Sequence, residues 1–68
     1  MQVTPEEQPF WDAAYIAGLQ DAVYARYLAD YAYSPGIRLT HGQLAEHIAN
    51  EAVEQRRRRM AESAAINT

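Results

Sequence analysis

The chain has no cysteine and no lysine, and only three glycines, three prolines, one phenylalanine and one tryptophan in 68 residues. Without cysteine there is no disulfide framework, and a reducing, cytoplasmic setting is expected. The glycines are scattered, so no glycine-rich phosphate loop exists. No basic stretch followed by an apolar run opens the chain, and no secretory signal is expected. The two histidines, His41 and His47, are spaced to opposite sides of a helix. His47 and Glu51 give only two ligands at i,i+4, short of the four that a structural zinc site takes. No metal and no cofactor are expected. A single domain of this length buries a modest share of its surface. Such scaffolds rely on disulfides, a metal or oligomerisation, and here oligomerisation is the route left. The net charge of −3 and pI of about 5.1 argue against a general nucleic-acid binder.

The segment Pro9–Tyr33 holds the tryptophan, the phenylalanine and all five tyrosines. It is rich in alanine and has no proline after Pro9, so its summed helix propensity is high. At roughly 100° per residue it shows two apolar faces. One is bulky: Phe10, Ala13, Ile16, Ala17, Leu19, Val23, Tyr24, Tyr27, Leu28 and Tyr31. The other is narrow and small: Ala14, Gly18, Ala22, Ala25, Ala29 and Ala32. Asp12, Asp21, Arg26 and Asp30 fall along its length, and charges so placed are costly in lipid. No membrane span is expected.

Around this segment lie two start signals and one break. Thr4-Pro5-Glu6-Glu7 has the form of a helix start, with Pro9 predicting a loose first turn and a regular helix from about 9 to 33. Ser34-Pro35-Gly36 ends it, because proline disfavours the helical region for the residue before it. Ile37 and Leu39 then run extended as an apolar plug in a loop over 34–39. Thr40 with Gln43 is a second capping box, opening a helix over about 40–62 whose apolar stripe is Leu44, Ala45, Ile48, Ala49 and Ala52, with Val53 at its edge and Met60 further on. Glu54 and Arg58 have the favourable i,i+4 order. A frayed tail is expected over 63–68.

The expected fold is all-α: one domain, an antiparallel helical hairpin that self-associates into a four-helix bundle. With helix ends at Tyr33 and Thr40, facing positions sum to about 73. That register places Arg56 near residue 17 and Arg59 near residue 14, and brings the basic end of the second helix toward Asp12 and Glu7.

Of the candidate chemistry, Arg56-Arg57-Arg58-Arg59 is the most conspicuous. These four are candidate phosphate contacts. The competing reading is a dipole-favoured helix end, with Arg56 and Arg59 laying their stems on apolar surface and Arg57 and Arg58 in water. On that reading, replacing Arg57 and Arg58 costs only a few tenths of a kcal/mol. The hydroxyls Thr4, Ser34, Thr40, Ser63 and Thr68 sit in no nucleophile motif. No catalytic residue is assigned, and the chain is read as not an enzyme.

The opening Pro9-Phe10-Trp11-Asp12-Ala13-Ala14-Tyr15-Ile16-Ala17-Gly18-Leu19-Gln20 is followed by a break and an Ala/Glu helix ending in arginines. Over residues 9–60 this resembles small proteins encoded in tailed-phage and prophage genomes, whose opening reads Phe/Trp-Asp-x-Ala-Tyr/Phe-x-Ala-Ala-Leu. Gly18 stands where alanine is commoner. The resemblance implies a phage or prophage origin and a host cytoplasm as location. It assigns no activity and no functional residue.

The leading functional expectation is a non-enzymatic, self-associating protein-interaction module, with an unidentified protein partner beyond itself. The second helix is slim and covers one face of the first. The small stripe is expected to take it, leaving Phe10, Tyr24, Tyr27, Leu28 and Tyr31 as the self-association interface. Two alternatives stand beside it: a nucleic-acid-binding accessory using the arginine run, and a host-directed inhibitor presenting its acidic face.

Overall fold

The computed structural model describes residues 1–30 and 38–66. Tyr31, the Ser34-Pro35-Gly36 break and Ile37 lie outside the described residues, as do 67 and 68. The described residues are all-helical: α1 (Gln8–Gly18), α2 (Asp21–Asp30) and α3 (His41–Ile66).

The loose first turn expected at Thr4 forms, and α1 itself opens at Gln8 with Glu7 as its N-cap. The Thr4 carbonyl accepts from the Glu7 and Gln8 amides, both at 3.0 Å. The box closes both ways, with the Glu7 amide donating to Thr4 Oγ1 at 3.3 Å and the Thr4 amide to Glu7 Oε1 at 3.0 Å. Pro9 falls in the first turn of α1, where its missing N–H costs nothing.

The single helix expected over 9–33 is divided in two. At Leu19–Gln20 the ladder tightens: the Leu19 amide is shared between the Tyr15 and Ile16 carbonyls, and the Gln20 amide reaches only to Ala17, at 3.3 Å. Such a 3₁₀-like turn marks a local change of direction. The Gln20 carbonyl then opens α2, accepting from the Val23 and Tyr24 amides. Two residues explain the site of the break. Gly18 is the weakest helix former in the segment apart from Pro9, and Asp21 supplies a carboxylate for the first turn of a new helix.

The division changes the register. α3 packs on α1, not on a long helix, and facing positions sum to 61–66 instead of about 73: Trp11 with Asn50, Gly18 with Ala45, Glu7 with Arg57 and Phe10 with Arg56. α1 spans about 16 Å and α3 about 39 Å, so the end of α3 projects past α1. The chain is accordingly long, 47 × 22 × 20 Å. α3 also runs through Ser63 to Ile66, where a frayed tail was expected; the helix formers Ala61, Ala64 and Ala65 continue it with no breaker.

The core is slender. Among the described residues the buried apolar side chains are Leu44, Ala45, Ala49 and Val53, all on α3, and Val53 is the largest that is fully enclosed. Gly18 is the buried residue of α1. A Cβ added there would stand 2.8 Å from the Ala45 Cα and 3.2 Å from its Cβ, so the two backbones approach as closely as glycine permits. In α1, the small stripe is therefore the one α3 covers, whereas Ala22, Ala25 and Ala29 of the same expected stripe are exposed on α2.

Candidate interaction surface

The helical spacing of α1 divides it. Trp11, Ala14, Tyr15 and Gly18 are buried or half-buried toward α3, with Glu7 just ahead of the helix on the same side. Trp11 stacks on Tyr15 with ring centroids 5.0 Å apart, and its indole N–H donates to Asn50 Oδ1 at 2.9 Å. The opposite side carries Pro9, Phe10, Ala13, Ile16 and Ala17, all exposed. Phe10 is 49% and Ile16 66% accessible. Apart from its polar flanks this face is continuous hydrocarbon, unusual for so small a chain.

Beside it, Phe10, Ala52, Gln55, Arg56 and Arg59 line an open cleft of about 530 Å3. The Arg56 guanidinium lies 4.1 Å over the Phe10 ring, a cation–π contact that holds the cation on the rim of an apolar floor.

The arginine run does not act as one block. Arg57, expected in water beside Arg58, is exposed but is not left to solvent alone. Its Nε donates to Glu7 Oε2 at 2.6 Å, and its Nη2 donates to Glu7 Oε1 at 2.7 Å and to the Gln2 carbonyl at 2.9 Å. This bidentate fork is the strong form of a carboxylate pair. Glu7 is the buried charged residue of the described chain, 6% accessible. The Arg57 fork, and secondly the Thr4 amide, hold its carboxyl down to about 2 from the ordinary 4.5. The same bond pushes Arg57 above its usual value. Asp12, the other acid expected to reach the basic end, accepts from the Gln8 side chain at 2.7 Å instead. Glu54 and Arg58 form no ion pair among the described residues, whereas Arg26 and Asp30 approach to 3.9 Å.

Two tyrosines of the expected interface, Tyr24 and Tyr27, are already engaged. Tyr24 donates its hydroxyl to the Leu39 carbonyl at 3.2 Å, and the Leu39 amide donates to the Tyr27 hydroxyl at 2.7 Å. Both backbone groups of Leu39, in the segment entering α3, are thus satisfied by α2. Tyr24 also packs on Tyr27 and, at 3.7 Å between centroids, on His41. Leu28 is half-buried. Of the five residues expected at a self-association surface, Phe10 stands open, Tyr24, Tyr27 and Leu28 are half-covered by their own chain, and Tyr31 lies outside the described residues. Sequence reasoning missed the division of roles because it treated α1 and α2 as one straight helix.

His41 Nε2 is enclosed without a hydrogen bond and lies 3.8 Å from Asp21 Oδ1. Among the described residues no three of His, Cys, Asp or Glu gather as metal ligands, and no helix is long and apolar enough to cross a membrane. Comparison with known protein families, curated proteins and solved structures finds no match to this chain.

Proposed function

We propose that this chain is a non-enzymatic, self-associating protein-interaction module of phage or prophage origin, working in the host cytoplasm. The observation that carries the reading is the outer face of α1, where Phe10 is 49% and Ile16 66% accessible beside three further apolar residues. A chain whose core among the described residues is one leucine, one valine and two alanines gains more from covering that face than from any internal rearrangement. Two of the hydroxyls considered as nucleophiles, Thr4 and Thr40, accept backbone amides at helix starts, a structural use. Origin and location rest on the resemblance of residues 9–60 alone.

The test is sedimentation equilibrium of the full chain across micromolar concentrations. A dimer or higher assembly is expected; a folded monomer throughout overturns the reading. The nucleic-acid alternative retains Arg58 and Arg59, which have no ion-pair partner among the described residues. It is favoured by a mobility shift at physiological salt that disappears in Arg58→Gln/Arg59→Gln.

A further inference from the structure

We propose that the occupant of the α1 face is a second copy of this chain, seated antiparallel so that the two α1 helices cross at Ala13–Ala17 about a twofold axis. This rests on the self-association reading and adds its surface, its register and its ion pairs.

Three observations lead there. The first is area. The chain exposes 5340 Å2, whereas a compact protein of 7.7 kDa exposes about 4,300 Å2. The elongated shape spreads that excess of about 1,000 Å2 over the chain, and the α1 face holds its apolar part where Phe10 and Ile16 are 49% and 66% accessible. The second is shape. Ala13 and Ala17 form a shallow centre between the larger Phe10 and Ile16, so the ridge of one helix meets the low ground of another.

The third is charge. The cations Arg56 and Arg59 border the cleft at the Phe10 end of α1. Asp21, its side chain fully exposed, lies just past the other end. The distribution is self-complementary, as a twofold contact requires. Crossing at Ala13–Ala17 sets the partner's Asp21 level with residues 8 and 9; the register of α1 on α3 puts Arg56 at that level and Arg59 about one turn beyond it, roughly 5 Å, a distance that an arginine side chain spans. Parallel packing would instead bring Arg59 to the partner's Arg59.

The experiment is sedimentation equilibrium of the full chain, with helix content followed by circular dichroism. Ala17→Arg is expected to weaken dimerisation by about tenfold or more through an unpaired charge at the crossing, with helix content unchanged because Ala17 is exposed. Glu54→Arg, off this surface, leaves association unchanged. Asp21→Arg and Arg59→Asp each weaken it by roughly two- to fivefold, and the double variant regains wild-type association. Wild type sedimenting as a monomer overturns both this proposal and the self-association reading. A dimer indifferent to Ala17→Arg but lost in Leu28→Asp overturns this surface alone and returns the interface to the tyrosine side. Failure of the double variant to recover overturns the antiparallel register.

Discussion

Two capping boxes open the two ends of this structure, and they are built alike. Thr4 and Glu7 exchange hydrogen bonds of 3.0 and 3.3 Å; Thr40 and Gln43 exchange bonds of 3.0 and 3.2 Å. Each satisfies amides that a helix start leaves orphaned. They differ in what lies behind them. The Gln43 box is exposed and bonds only to itself. The Glu7 carboxylate is buried and carries the Arg57 fork from 50 residues away. The same local device is only a helix start in one place and the tertiary clasp of residues 2–7 onto α3 in the other. What separates them is a charge at the fourth position and a cation at the matching height of α3.

The sharpest way to break the contrast is Arg57→Gln. It leaves both boxes intact locally but strands the buried Glu7 carboxylate, and removing the partner of a buried charge is the costly direction, moderated here by the exposure of Arg57 itself. The largest stability loss of any single change considered is therefore expected, read as a denaturant midpoint at pH 7. Arg58→Gln, one residue on and without an ion-pair partner among the described residues, is expected to stay within about 0.5 kcal/mol of wild type. Equal midpoints for the two variants would show that the clasp contributes nothing.

The clasp also predicts a pH dependence. Glu7 titrates at about 2 in the folded chain against an ordinary 4.5, so the folded state holds its charged form preferentially. The stability this supplies is complete above about pH 4.5 and is lost as pH falls toward 2. Melts between pH 6 and 2 should show an acid limb that is largely absent in Glu7→Gln. An unchanged limb in that variant would assign the acid sensitivity to other carboxylates.

How far the chain could be read in advance follows the same division. Both boxes were legible because they are written within four residues, and so was the docking of α3 on the small stripe of α1, because Ala14 and Gly18 recur at helical spacing. The bend at Leu19–Gln20 was not read, although its signal is present: a glycine three residues before an aspartate is a weak stop followed by a weak start. Propensity summed over 25 residues concealed it. Missing the bend shifted the register by seven or more positions. Glu7 was expected near the basic end, but that shift left its partner, Arg57, unassigned and placed Tyr24 and Tyr27 on an outside surface when they serve Leu39. Long-range partners depend on register, and register depends on the one local feature that averages conceal. Phe10 kept its expected exposure because it lies in α1, on the near side of the bend.

A middle-sized test compares the threonines. Thr4→Ala and Thr40→Ala each remove one side-chain acceptor from a helix start and are each expected to cost about 1 kcal/mol. The carboxylate–arginine fork survives Thr4→Ala, so the buried clasp should not magnify the loss. A Thr4→Ala loss matching that of Arg57→Gln would mean that box and clasp form one cooperative unit, and that the threonine orients Glu7 for Arg57.

The smallest expected effect comes from making the second box resemble the first. Gln43→Glu introduces a carboxylate at the N-terminus of α3, where the helix dipole favours negative charge by roughly 0.3–1 kcal/mol. The position is exposed, so solvent screens the new charge, and the neighbouring Glu46 opposes it. A gain of a few tenths of a kcal/mol at pH 7 is expected, fading as the new group protonates near an ordinary carboxylate value. Denaturant midpoints at pH 7 and pH 3 measure both parts. If Gln43→Glu stabilises as strongly as Arg57→Gln destabilises, then a carboxylate in a capping box is sufficient by itself, and the long-range arginine is not what distinguishes Glu7. A small, screened gain means that the charge acquires its weight only where α3 supplies a cation to meet it.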